Sequence, residues 1–168
     1  MKGLPWPHRF TVSAALGWVE LGNLQEAAAE LERLPADLLE EPTVLDIRWE
    51  IHALQKDWLA ALRVARAMMI KCPDRVGSWL NQAYALRRVP GGGLTQAWNA
   101  LLPAARQFPG SEMVSFNLAC YAAQMDRLPE AWDFLQQAMR AGANGEQIRR
   151  MALADEDLQP LWERLRGK

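Results

Sequence analysis

Cysteine and histidine are scarce in this chain of 168 residues, with two of each: Cys72 and Cys120, His8 and His52. Two thiols make neither a disulfide framework nor a metal knuckle, and the histidines lack the spacing of zinc ligands. Both cysteines fall within helical patterns, so they read as buried or half-buried free thiols. That suits a reducing compartment, and a cytoplasmic location is the expectation. No metal and no cofactor is expected. No nucleophile motif is present either, so the chain is not expected to be an enzyme.

Long apolar runs are lacking as well. None approaches the ~20 residues needed to span a bilayer, so no membrane partner is expected. The start, with Lys2, Arg9 and then Phe10 to Val19, faintly mimics a signal peptide. Glu20 cuts the run short, and Ala14, Ala15 and Trp18 take repeat positions, so that reading is rejected. Net charge is also small, −1 from 19 basic and 20 acidic side chains, which does not favour nucleic acid as a partner. The charge is unevenly spread. Residues 8–57 hold four basic and ten acidic side chains, and residues 58–150 hold eleven and six, so the array is acidic early and basic later. A glycine-rich run occurs at Pro90-Gly91-Gly92-Gly93-Leu94-Thr95, but it lacks a Gly-Lys-Ser/Thr ending and follows a helical pattern. It reads as a turn and not as a phosphate loop.

What the chain does have is one short phrase repeated four times. It reads Gly22-Asn23-Leu24-Gln25-Glu26-Ala27, Lys56-Asp57-Trp58-Leu59-Ala60-Ala61, Gly92-Gly93-Leu94-Thr95-Gln96-Ala97 and Asp126-Arg127-Leu128-Pro129-Glu130-Ala131. The alanines at 27, 61, 97 and 131 are separated by 34, 36 and 34 residues. Such a step, without strand-like runs, predicts a helix-turn-helix array. After each turn the apolar residues follow one template: Leu24, Ala27, Ala28, Leu31, Leu34; Trp58, Ala61, Leu62, Ala65, Met68; Leu94, Ala97, Trp98, Leu101, Ala104; Leu128, Ala131, Trp132, Leu135, Ala138. These offsets put all five on one helical stripe, which only a neighbouring helix can cover.

These residues carry a resemblance to the tetratricopeptide repeat (TPR) family. The third unit matches its pattern with Trp79, Ala83, Ala97, Leu101 and Pro109, and the fourth with Leu118-Ala119, Ala131, Leu135 and Ala138. The second has Leu45, Ala61 and Pro73, with bulky Trp49 where a small residue is usual. The first has Ala14-Ala15, Trp18, Ala27 and Leu31. The resemblance covers roughly residues 8 to 145. It implies an all-α, right-handed superhelix, here a single domain with units at about 8–41, 42–75, 76–111 and 112–145 and a C-terminal cap at 146–168. His52 stands in for the usual aromatic of a first helix. Six tryptophans fall on packing positions, whereas Trp6 and Trp162 lie in the end pieces.

Boundary signals agree with these units. Pro7 suits a first helical turn, Pro35 to Pro42 forms a long connection, and Asp74 and Ser111 are candidate N-caps. Gly142 and Gly145 mark the end of the fourth unit. In the cap, 147–154 and 160–165 read as short helices hinged at Asp155-Glu156-Asp157. A helical array needs such an end piece, because its last stripe would otherwise face water.

Function enters through the resemblance. In this family the first helices of successive units line a concave groove that holds a peptide or a partner's helix. Here that face offers Asp46, Ile47, Glu50, Leu80, Asn81, Tyr84, Arg87, Arg88, Phe116, Asn117, Cys120 and Gln124. The resemblance implies a peptide-binding set of Asn81, Tyr84, Arg87, Arg88, Phe116, Asn117, Cys120 and Glu50. The two amides suit a ligand backbone, and the arginines, taken to end the first helix of unit three, suit a carboxylate. The expected function is a non-catalytic module binding a protein or peptide segment that carries a carboxylate. The alternative is a structural or self-associating scaffold docking through apolar outer or terminal surfaces as a homo-oligomer.

Overall fold

The computed structural model describes residues 4–141 and 145–167, and the regular structure among them is helical. The helices are α1 (His8–Glu20), α2 (Leu24–Glu32), α3 (Pro42–Leu54), α4 (Trp58–Lys71) and α5 (Val76–Leu86), followed by α6 (Leu94–Gln107), α7 (Glu112–Gln124) and α8 (Leu128–Ala141). The chain ends in α9 (Gly145–Ala154) and α10 (Trp162–Leu165), with 3-10 turns at Ala36–Glu40 and Glu156–Leu161. Helices α2, α4, α6 and α8 begin on Leu24, Trp58, Leu94 and Leu128, where the repeated phrase puts them.

The phrase works because it stops one helix and starts the next. Gly22, Lys56 and Asp126 take positive φ (75°, 58° and 59°), which turns the chain out of the preceding helix. The following N–H then reaches back five residues: Asn23 to the Trp18 carbonyl, Asp57 to His52 and Arg127 to Ala122, each at 2.9 Å. This closes the helix C-terminus. The Asn23 and Asp57 side chains next accept from the Glu26 and Ala60 amides at 3.3 and 3.0 Å, capping the new helix.

The third turn has two extra residues and a different solution. Gly93 N–H reaches the Leu86 carbonyl at 3.0 Å, and Gly92 N–H reaches Val89 at 2.9 Å. A Cβ on Gly92 would lie 2.0 Å from the Leu86 oxygen, whereas one on Gly91 would meet nothing within 4 Å. Gly92→Ala must therefore open the loop and weaken both backbone bonds, at a cost of about 2–3 kcal/mol. Gly91→Ala bears only the strain of its φ of 74°, on the order of 1 kcal/mol. Thermal melts should place Gly92→Ala several degrees below Gly91→Ala, and equal midpoints would refute this account of the turn.

Contacts group the chain into two compact units that meet between Asn81 and Gln82, inside α5. In the first unit, Val12, Ala15 and Val19 of α1 pack with Ala27 and Leu31 of α2, with Leu34 and Leu38, and with Val44, Ile47 and Ile51 of α3. A second cluster joins Leu45, Val64 and Met68, with Trp49 against it. In the second unit α7 lies against α6, α8 and the 156–161 turn. Its buried residues, including Val114, Phe116, Leu118, Cys120 and Tyr121, surround the helix on most sides, as a central helix requires. The end piece buries Ile148, Ala152, Leu158, Leu161 and Leu165. The Arg149 guanidinium fastens it by donating to the Leu165 carbonyl at 2.7 and 3.0 Å, and the Trp162 indole by donating to Ala152 at 2.9 Å.

Three stripe positions after each turn, at i+3, i+7 and i+10, are buried, whereas the opening residues Leu24, Trp58, Leu94 and Leu128 are half-buried. Ala27, Leu31 and Leu34, Ala61, Ala65 and Met68, Ala97, Leu101 and Ala104, and Ala131, Leu135 and Ala138 are each 5% exposed or less. Ser111 caps α7 through the Val114 amide, as expected.

Several local expectations change. Asp74 sits in a turn and α5 starts only at Val76, so Asp74 is not its cap. The 35–42 connection is long, as expected, and buried Leu38 draws it into a 3-10 turn, after which Pro42 opens α3. Pro160 lies inside the second 3-10 turn, and the last α-helix begins at Trp162, while the expected hinge shrinks to Asp155, whose carboxylate caps that turn. Gly145 opens α9, and Gly142 lies outside the described residues. Of the tryptophans only Trp98 is buried, and Trp6 is 68% exposed against Phe10. A side chain as large as Trp is rarely enclosed completely, and the other six are half-buried.

Candidate functional site

A cavity of about 660 Å³ lies within the second unit, and three segments build it. Tyr84 near the end of α5 and Arg87 and Arg88 just past that end form one wall. Phe116, Asn117, Cys120 and Tyr121 of α7 form the floor, and Met151, Ala154, Asp155, Glu156 and Asp157 form the other wall. The i, i+4 spacing of Phe116 and Cys120, and of Asn117 and Tyr121, puts the four on one broad face of α7.

Six of the eight residues expected to bind a peptide line this cavity: Tyr84, Arg87, Arg88, Phe116, Asn117 and Cys120. Asn81 and Glu50 belong to the first unit. There the Asn81 amide points at the Met68 sulfur, 3.7 Å away, and Glu50 is exposed. Asp46 is paired with Arg75 at 2.6 Å. Ile47, expected on the open face, is 2% exposed and belongs to the core. Arg87 and Arg88 lie one and two residues beyond α5, so they do not end that helix.

The charged groups of the cavity are largely matched within the chain. Both oxygens of Asp157 face the Arg87 guanidinium, one at 2.9 Å from Nη2 and the other against Nη1. This two-pronged pair is three-quarters buried, and its hydrogen bond raises the Arg87 pKa despite burial. Gln124 donates to the Asp157 carbonyl at 3.1 Å, and the Asp157 amide donates to the Asp155 carboxylate at 2.9 Å. Arg88 lies flat on the Tyr84 ring, 3.4 Å from its centre, and donates to the Tyr84 carbonyl at 3.0 Å. Burial lowers its pKa. The Asn117 amide donates to the Met113 carbonyl one turn back, at 2.9 Å, and its oxygen remains an acceptor.

Cys120, Asp155 and Asp157 bring ligand atoms within 4.8 Å of one another, a grouping that a metal could use. Their chemistry is otherwise committed. Burial, then the two carboxylates, pushes the Cys120 thiol well up, so it stays protonated and faces Asp155 at 3.7 Å. Asp157 is held by Arg87. Burial likewise pushes the Tyr121 phenol up to about 12, so it stays neutral. The cluster is a closed internal network. Asp155, Asp157, Tyr121 and Met151 were not among the expected site residues. The acidic triplet at 155–157 was visible in the sequence, but nothing local pairs it with Arg87, which is 70 residues away.

No protein-family model matches the chain, and no curated protein matches it in sequence. Its fold does match solved structures. MamA MSR-1 C2 is similar with a TM-score of 0.63 at 17% identity, over 81% of this chain and 77% of that one. TTC0263, a thermophilic TPR protein in Thermus thermophilus, is similar with a TM-score of 0.71 at 18% identity, over 94% of this chain and 82% of that one. Together with four helix pairs joined by the repeated turn, this likeness gives the chain the all-helical fold of TPR proteins.

Proposed function

We propose that the chain is a protein-interaction module that takes a peptide or protein segment into the cavity of its second unit. The carrying observation is that this cavity, about 660 Å³, combines a cation, an amide and aromatic faces in one cleft. Arginine and aromatic side chains tend to dominate binding energy when a partner covers them. Tyr84 supplies apolar area, and the Asn117 oxygen accepts a ligand N–H. Arg88 lines the cavity and is the proposed receptor for a carboxylate on the segment. No step of chemistry is required of these residues.

Arg88→Ala and Asn117→Ala should each weaken binding about tenfold, or ~1.4 kcal/mol, and leave the melting point in place. The measurement is calorimetric titration of both variants against a segment recovered from a wild-type pull-down.

A second reading rests on the N-terminal end. Trp6 is 68% exposed and Phe10 57%, their rings edge to face at 5.7 Å, which favours a scaffold that docks a second copy there. Size in solution separates the two readings. A dimer abolished by Trp6→Ser and Phe10→Ser, with both cavity variants binding normally, would favour the scaffold.

A further inference from the structure

The first unit holds a smaller cavity of about 280 Å³ that the peptide reading does not use. It lies between α3 and α4. Arg48 and His52 enter it from α3 and Arg63 and Ala67 from α4, each pair four residues apart and so on one helix face. Leu45, Ala60, Val64 and Ala67 supply the apolar lining, and none of the lining residues is acidic. Two guanidiniums and an imidazole around an apolar floor, without a lining carboxylate, form an arrangement for an anionic head on a short apolar stem. We propose that this cavity binds a phosphomonoester through Arg48, Arg63 and His52.

The neighbouring groups leave the two cations available. Among the described residues no acidic side chain forms an ion pair with Arg48 or Arg63. Arg48 spends one Nη1 contact, at 3.3 Å, on the Leu39 carbonyl and keeps its other N–H groups. Arg63 is exposed and can swing onto a ligand. Asp57, the acidic group that acts on His52, is committed to capping α4 through the Ala60 amide. Glu32 lines a second cavity, of about 260 Å³, that shares Arg48 and His52 but not Arg63 with the first. Nδ1 of His52 is buried without a hydrogen-bond partner, so the ring meets a ligand through Nε2. Burial lowers the His52 imidazole; among the charges Asp57 works upward, Arg48 and Arg63 downward, so the ring is neutral at pH 7.

The chemistry selects phosphate over carboxylate. A phosphomonoester carries about −1.5 to −2 charges at pH 7 and three acceptor oxygens, which two guanidinium forks and one imidazole N–H can share. A carboxylate brings one charge and two oxygens and leaves one arginine unmatched. The volume lies just below the ~300 Å³ at which sites for drug-sized ligands begin, so the cavity fits a head group and a short stem.

The test is titration of the full chain at pH 7 with phenyl phosphate, inorganic phosphate and benzoate, read by NMR at the histidine rings. The chain has two histidines, and His8 serves as the internal control. Phenyl phosphate should shift the His52 signal saturably, leave His8 in place, and bind more tightly than inorganic phosphate or benzoate. Arg63→Gln, an exposed position, should keep the melting point and weaken phenyl phosphate about tenfold or more; Arg48→Gln should weaken it likewise. A His52 shift that fails to saturate overturns the proposal, as does a saturable one unaffected by Arg63→Gln. Benzoate binding as tightly as phenyl phosphate would overturn the phosphoryl assignment. Inorganic phosphate binding equally well would overturn the role of the apolar floor.

Discussion

Trp98→Ala should lower stability by about 3–5 kcal/mol, the range for removing a large aromatic from a core. Trp98 is 5% exposed, meets the Phe134 ring edge to face at 5.6 Å, and carries the Arg127 guanidinium 4.3 Å above its own ring. The mutation thus removes the residue's own burial and leaves Phe134 facing a hole. Neighbouring Ala97 and Leu101 are fully buried and fixed by the stripe, so little of that hole can close. A chain of this length shifts its midpoint by roughly 2–4 °C for each kcal/mol, so a fall on the order of 10 °C is expected. Trp79→Ala, at a half-buried position, should cost clearly less. Equal melts for the two variants would show that α6 does not pack as described.

Ending the chain after Ala154 should have the larger effect. It removes Leu158, Leu161 and Leu165, which are 0%, 4% and 5% exposed. Each buried leucine contributes ~1.5–3 kcal/mol, so the three together are comparable with the ~5–15 kcal/mol stability of a whole domain. The truncation also strips Arg87 of Asp157, leaves Cys120 without Asp155 and uncovers Ile148 and Ala152 of α9. A second unit that unfolds or aggregates is expected, seen as lost helicity by circular dichroism and a heavier species by light scattering. Leu158→Ala in the intact chain is the milder version, at ~2–5 kcal/mol. A truncated chain that stays monomeric and melts like the parent would remove the end piece from the core.

The repeat was legible in the sequence down to single residues. The starts of α2, α4, α6 and α8 and the buried positions Ala97, Leu101, Ala131 and Leu135 follow from the phrase and its stripe. The candidate site was legible only in part. Six of its residues were named because the resemblance lines a groove with first helices, yet Phe116 and Cys120 prove 4% exposed, since the 156–161 turn lies over α7. Ile47 was assigned to the open side and lies in the core, because α1 and α2 both pack against α3 and widen its buried face.

By itself, then, the sequence determined what depends on neighbours a few residues apart: where each helix stops, which residue caps the next, and which side must be covered. Turn chemistry and a 3.6-residue period are local, and four copies of one phrase reinforce each other. Only the tertiary structure decided that Asp157 fills the Arg87 fork, that Arg88 rests on Tyr84, and that Arg48, His52 and Arg63 gather around one cavity. The end piece follows no repeat, so no template fixes its register against α7. Which carboxylate meets which arginine is settled by where Leu158 and Leu161 find apolar cover.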